Sequence, residues 1–382
     1  MRLYVDHALL WAVIGLMALG YVMVTSASLH LGERLAGDAF YYPRRQLANL
    51  FLGIGAGTAL AFVPLTALEK SSRWLFLTGI ALLVLVLLPG FGREINGSVR
   101  WLVLGGVQGQ VSEWVKWVSV VYLAGYIARH RPTIRSSATA MLTVLTVFAV
   151  PCALLLLQPD FGSAAMIIVF AAGMMFLAGA RIGQFLLASA LVFIAGAALV
   201  AASGYRVKRF LGFLHPWEDP LDSGFQLTQS LIAMGRGEWF GVGLGASVQK
   251  LFYLPEGHTD FLFAVIAEEL GLVGTLSVIA LFSTVIWRAF HIGCEAAARS
   301  AHFAAFLVYG VGFWFGLQAF INMGVTMGLL PTKGLTLPLM SYGGSSLVVM
   351  CMALGSLFRV HHENAVTRAA IPKRKQEWLC AS

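Results

Sequence analysis

Ten apolar runs, each close to the length a helix needs to cross a bilayer and each ended by a polar break, leave this chain few alternatives. They fall at 8–26, 46–65, 74–88, 111–127, 138–157, 161–180, 185–203, 261–286, 301–321 and 342–358. A spanning helix takes roughly 20 predominantly apolar residues, so the pattern predicts an all-α polytopic membrane protein with about ten transmembrane helices. Only 12% of the 382 residues are charged, against about 25% in soluble domains. No polar stretch is long enough to bury a core of its own, and residues 1–382 read as a single transmembrane domain. Ser26-Ala27-Ser28 resembles a signal-peptide cleavage site, but the first run is long for that role and is read as an uncleaved helix.

Lys and Arg collect in short cytoplasmic loops. Ten crossings put both termini on one side. Placing them in the cytoplasm assigns 14 of the 26 basic residues to that side but only 5 of the 18 acids. The inner side then carries +9 and the remainder −1, so both ends are expected to be cytoplasmic, with 360–382 as a tail. Attraction of basic loops to anionic lipid accounts for the overall +8 without a nucleic-acid partner. Cys152, Cys294, Cys351 and Cys380 lie in the runs or on the cytoplasmic side, where no disulfide is expected. No Cys/His spacing fits a zinc site, and His361-His362 reads as solvated surface.

Two outer connections stand out. The first, Phe91 to Gln110, carries Arg93, Glu94 and Arg100. The second, Gly204 to Asp260, is a large extracytoplasmic loop between the seventh and eighth crossings, and a structureless loop of that length is unusual unless functional. Part of it should fold: Ser223 can cap a short helix whose apolar positions include Phe225, Leu227, Leu231 and Ile232, lying at the interface or dipping partway in. Gly235, Gly237, Gly241, Gly243 and Gly245 mark tight turns or close backbone approach. Gly241-Val242-Gly243-Leu244-Gly245 is a poor nucleotide loop, lacking the preceding strand and the full spacing, so no nucleotide is expected.

Charged groups within a bilayer are expensive and tend to pair or face cavities. Glu113 and Lys116 are three apart on one helix face and should form an ion pair, structural or in contact with substrate. Asp160, in Gln158-Pro159-Asp160, can cap the sixth helix or take part in chemistry. Asp260 stands where the long loop re-enters the membrane. At least one of Glu268 and Glu269, roughly 12 Å further along at 1.5 Å per residue, must face the interior. Lys333 and the small-residue run around Ser341 to Ser346 belong to the last outer connection.

The segments His215-Pro216-Trp217-Glu218-Asp219-Pro220, Ser223-Gly224-Phe225-Gln226-Leu227-Thr228-Gln229-Ser230, Leu254-Pro255-Glu256-Gly257-His258-Thr259-Asp260-Phe261 and Pro338-Leu339-Met340-Ser341-Tyr342-Gly343-Gly344-Ser345-Ser346 resemble the SEDS proteins, the FtsW/RodA family. So do Arg100-Trp101, Ser112-Glu113 with Lys116, and Gln158-Pro159-Asp160-Phe161-Gly162, which extends the resemblance over nearly the whole chain. Leu330 to Pro338 and Ser247-Val248-Gln249-Lys250 are similar to the division branch, FtsW, more than to the elongation branch. His215 stands where the family pattern has an asparagine and Ser112 where it has an alanine.

The resemblance implies a ten-helix inner-membrane enzyme of the division septum that polymerises lipid II into glycan. It implies work with a class B penicillin-binding protein of the FtsI type and with other divisome membrane proteins. In that reaction the 4-hydroxyl of the incoming GlcNAc attacks C1 of the MurNAc on the undecaprenyl-diphosphate-linked glycan. Asp260 is the expected general base, a role worth roughly 10² to 10⁴ in rate, with His258 as fallback. Positive charge must meet the leaving diphosphate. Arg100, Lys116, Arg206, Arg236, Lys250 and Lys333 are the candidates, with Glu113, Asp160 and Ser341 as further substrate contacts. A divalent cation, Mg or Mn, could share the task. A lipid II flippase is the rival reading, against which no paired interrupted helices or inverted repeat is evident. A scaffold that only recruits a transpeptidase is the third.

Overall fold

The computed structural model describes residues 4–370 apart from 96–97, 105–106, 137, 202, 219, 221–223 and 252–253. Its helices are α1 (His7–Ala36), α2 (Tyr41–Phe62), α3 (Leu65–Leu87), α4 (Val111–Ser136), α5 (Ala138–Leu157), α6 (Phe161–Leu177), α7 (Ile182–Ala201), α8 (Gly204–Leu214), α9 (Phe225–Gly237), α10 (Leu262–Ala298), α11 (His302–Thr326) and α12 (Gly344–Ala370). Each of the ten apolar runs is one helix, α1 to α7 and α10 to α12. Six of these, α1, α3, α5, α10, α11 and α12, are long and apolar enough to span by themselves, and α6 and α7 are shorter apolar helices. The other two, α2 and α4, carry charges in their opening turns, Arg44 and Arg45 in α2 and Glu113 and Lys116 in α4.

Helix α4 runs through the middle of the bundle, with Trp117, Val118, Val120, Val121, Leu123 and Ile127 buried. Where α2 meets α12, glycine lets the backbones touch. A methyl on Gly57 would stand 2.5 Å from the Cys351 carbonyl oxygen, the kind of close approach that holds helices together in lipid, where dispersion contacts replace the hydrophobic effect.

The connection from α3 to α4 adds what the all-α expectation lacked. It is an antiparallel meander of β1 (Gly92–Ile95), β2 (Ser98–Leu104) and β3 (Val107–Gln110), in the order β1-β2-β3 with Trp101 paired to Arg93 and Gln110. Its strands are four to seven residues long, too short to register beside runs of twenty. The meander is pinned to the bundle where the Gln110 amide donates to Ser345 Oγ at 2.9 Å.

The long loop is largely folded into α8, α9 and a re-entrant segment. The expected short helix is present as α9, preceded by Gly224 without a side-chain cap, while Ser223 lies outside the described residues. After α9 the chain inserts into a break in α10 at Gly271, whose backbone (φ 65°, ψ −160°) is open only to glycine. The exchange of hydrogen bonds is reciprocal. Val242 and Gly243 amides donate to the Glu268 and Glu269 carbonyls at 2.9 and 3.1 Å, and Leu272 and Val273 amides donate to Glu238 and Trp239 carbonyls at 2.9 and 3.1 Å. Two carbonyls before the break and two amides after it are thus satisfied by protein, as irregular backbone within a membrane requires. Helix α10 is therefore interrupted, a single break rather than the paired interruption or inverted repeat for which the sequence shows no sign.

At the opposite end of the bundle, α12 continues to Ala370, so the first part of the expected 360–382 tail is helical. His362 is not solvated but buried: its Nδ1 accepts from the Tyr4 amide at 3.0 Å and its ring stacks on Tyr4. Asp6 caps α1 through Leu9 and pairs with Arg288 of α10 at 2.9 Å. Burial opposes the ionised Asp6 carboxyl, but Arg288 and the Leu9 amide outweigh it and hold the group below its ordinary value.

Candidate active site

Three segments converge at the end of the bundle that carries the β-meander: the turn opening α6, the turn opening α10, and the connection from α11 to α12. Asp160 caps α6, its Oδ1 accepting from the Ser163 amide at 3.2 Å. Its Oδ2 is buried and has no hydrogen-bond partner among the described residues. Arg100 of β2 reaches the same turn, donating through Nε to the Gln158 carbonyl at 3.1 Å and through Nη2 to the Pro159 carbonyl. Lys333 arrives from the other side, with Nζ 4.7 Å from the centre of the Phe161 ring. A methyl on Gly162 would meet Lys333 Cε at 2.7 Å. Two cations therefore flank one helix N-terminus, where the dipole adds to their field.

Asp260 is half-buried and packs against the residue after Lys333: a methyl on Gly334 would stand 2.6 Å from Asp260 Oδ2. Asn322 of α11 ties these two segments together, donating to the Asp260 carbonyl at 2.7 Å and the Leu335 carbonyl at 2.5 Å. One turn earlier, Gln318 links the site to the predicted ion pair. Lys116 Nζ lies 2.8 Å from Glu113 Oε1 and donates to Gln318 Oε1 at 3.1 Å, and Gln318 Nε2 donates to the Thr336 carbonyl at 3.0 Å. Lys116 is wholly buried, so this chain of bonds acts in a low-dielectric setting where electrostatic interactions are strong.

His258 stacks in a corner with Tyr42 and Tyr342, ring centres 5.1 and 5.6 Å away, and its carbonyl accepts from the Tyr342 amide at 3.0 Å. Burial pushes its imidazole below the ordinary value, against a smaller upward pull from Glu256, so the ring is neutral near pH 7. Ser341 serves the turn itself. Its Oγ accepts from the Leu337 amide at 2.9 Å, and its carbonyl accepts from Gln46 Nε2 at 3.3 Å.

Lys250 and Arg236, grouped with the diphosphate-facing candidates by sequence, each pair with a glutamate of α10. Lys250 Nζ pairs with Glu269 at 2.8 Å and donates to Ser26 Oγ at 2.9 Å; Arg236 Nη1 lies 3.5 Å from Glu268. Glu268 also accepts from Ser247 Oγ at 2.5 Å and the Val248 amide at 3.1 Å. Both glutamates are wholly buried, and this network anchors the re-entrant segment beside the break in α10. Arg206 lies in α8, and its side chain is outside what the structure describes. Gln318, Asn322 and Gly334 were missed by sequence reasoning, although two amides four residues apart in an apolar helix mark a polar face. Among the described residues, no three His, Cys, Asp or Glu side chains gather to hold a metal ion.

The family model for FtsW/RodA/SpoVE cell cycle proteins matches residues 7–366. The chain belongs to this FtsW/RodA/SpoVE family. It is 59% identical over 362 residues to a protein of Methylococcus capsulatus named probable peptidoglycan glycosyltransferase FtsW, covering 95% of this chain and 91% of that one. A protein of the same name from Methylomonas methanica is 54% identical over 362 residues, with 95% and 93% covered. Among solved structures, a chain of a peptidoglycan synthase complex that coordinates polymerization and crosslinking superposes with a TM-score of 0.77 at 31% identity, over 95% of this chain and 99% of that one. The rod shape determining protein RodA of Thermus thermophilus superposes with a TM-score of 0.70 at 28% identity, over 94% and 97%. An FtsW/RodA/SpoVE protein is thus a multi-pass membrane protein whose polar convergence at one end of the bundle is the place to look for chemistry.

Proposed function

We propose that the protein is a peptidoglycan glycosyltransferase of the division type, polymerising lipid II on the outer face of the cytoplasmic membrane. The observation that carries this reading is the placement of one carboxylate, Asp260, against the Lys333-Gly334 segment whose lysine shares the α6 N-terminus with Arg100. Asp260 takes the proton from the acceptor 4-hydroxyl as it attacks C1 of the donor sugar. Lys333 and Arg100 face the departing undecaprenyl diphosphate, supplying charge where it develops. A single displacement inverts the anomeric centre, turning an α-linked diphosphate into a β-linked glycan. The buried Glu113–Lys116 pair acts through Gln318 on the Thr336 carbonyl, holding the lysine-bearing connection in place.

The protein works at the septum with both termini in the cytoplasm and with a class B penicillin-binding protein as partner. The charge bias of its loops and its likeness to a chain of a synthase complex support this. Purified protein mixed with its transpeptidase partner and lipid II should yield glycan polymer; absence of polymer under conditions where both proteins are folded contradicts the proposal. One observation favours a second reading, lipid translocation: α10 is interrupted beside buried charges. Proteoliposomes reading lipid II accessibility without polymerisation separate the two, since flipping that survives Asp260→Asn belongs to the second.

A further inference from the structure

We infer that Asn322 is a positioning residue that sets the distance between Asp260 and the Lys333-Gly334 segment; this rests on the reading of Asp260 as base. Asn322 is buried in α11, and its Nδ2 donates to two carbonyls at once, those of Asp260 at 2.7 Å and Leu335 at 2.5 Å. An amide nitrogen has two hydrogens, and both are used. The two acceptors belong to connections 75 positions apart in sequence, one bringing the carboxylate and the other the lysine.

The other half of the amide points to the same role. Asn322 Oδ1 is buried with no partner among the described residues, an arrangement proteins seldom leave in place without a return. The amide is therefore oriented by its donors alone. Gln318, one turn earlier, donates to the Thr336 carbonyl, so two successive amides of α11 grip successive residues of the connection after Gly334. With a methyl at Gly334 standing only 2.6 Å from Asp260 Oδ2, a shift of either connection moves the base relative to the lysine. Misplacement by about 1 Å can lower a rate by roughly 10².

The test uses the full-length purified protein with its transpeptidase partner, lipid II as substrate, and Asn322→Leu, which keeps a similar volume without a donor. The expected result is a kcat lower by about 10- to 100-fold with KM for lipid II within about twofold, in a protein whose melting temperature falls with the two lost hydrogen bonds but stays above the assay temperature. Asn322→Asp is the second variant. A carboxylic acid facing two carbonyls has a raised pKa, and in its protonated form it donates one of the lost bonds. Its deficit relative to wild type should therefore shrink as pH falls from 8 to 5.5, whereas the deficit of Asn322→Leu should not. A wild-type kcat in Asn322→Leu, or a loss confined to KM, overturns the inference. So does an Asn322→Asp deficit that does not change with pH. Asp260→Asn run in parallel separates the two levels. If it retains the wild-type rate, the base assignment falls and this inference with it. If it is inactive while Asn322→Leu is normal, only the positioning role falls.

Discussion

Gly334→Ala tests the site with a single methyl group. The added carbon would lie 2.6 Å from Asp260 Oδ2, whereas close carbon–oxygen contacts run at about 3.3 Å. The carboxylate must therefore withdraw by about 0.7 Å. Gly334 does not adopt the left-handed backbone that only glycine tolerates, and the group it would strike is the tip of a side chain, so the fold should survive. If 1 Å of misplacement costs about 10², a displacement of this size should lower kcat by roughly 10- to 100-fold. The assay is lipid II polymerisation by the purified protein with its partner, read as initial rate at saturating substrate and set beside a thermal melt. A variant that melts as wild type and turns over as wild type refutes the reasoning, because it shows that the Asp260 carboxylate tolerates displacement.

Lys250→Met should destabilise the protein by about 3–5 kcal/mol by leaving Glu269 charged and buried without its partner, and Lys250→Met with Glu269→Gln should recover most of that. Equal melting temperatures for the single and double variants would contradict a buried pair. Gly271→Ala places a methyl 2.6 Å from the Phe240 amide nitrogen in a backbone region costing about 1–3 kcal/mol for other residues, so the yield of folded protein should collapse; normal expression and melting would count against the observed break. His258, held neutral by burial, has a folded pKa below its unfolded value of about 6.5. The unfolded chain then binds the extra proton first, and stability present above about pH 6.5 is lost as pH falls towards the folded pKa. Melting between pH 7.5 and 5.5 should therefore drop less in His258→Gln than in wild type, and equal drops would remove His258 from that account.

The bundle was legible because the bilayer imposes one requirement on every span, and length with hydropathy reads it directly. Even α2 and α4, with charges in their opening turns, were found this way. The Glu113–Lys116 pair was equally visible, since helical spacing alone puts the two side chains on one face. The ion-pair partners of Lys250 and Arg236 were not. They share a loop with Asp260, but the re-entrant segment carries them to Glu269 and Glu268 beside the break in α10. That break rests on a backbone exchange between residues 238–243 and 268–273, and hydrogen bonding between separate segments leaves no periodicity to read. The short strands of the meander were hidden for a similar reason, being pairings rather than runs. Gln318 and Asn322 act through donations to carbonyls, which any sequence can supply, so their partners could not be named in advance.

The most direct measurement of the central claim is the polymerisation rate of Asp260→Asn beside wild type, on lipid II, with the transpeptidase partner present and protein folding verified by melting temperature. A general base contributes roughly 10² to 10⁴ in rate, and the account predicts a folded variant reduced by at least that lower bound. Polymer formed at the wild-type rate would contradict it.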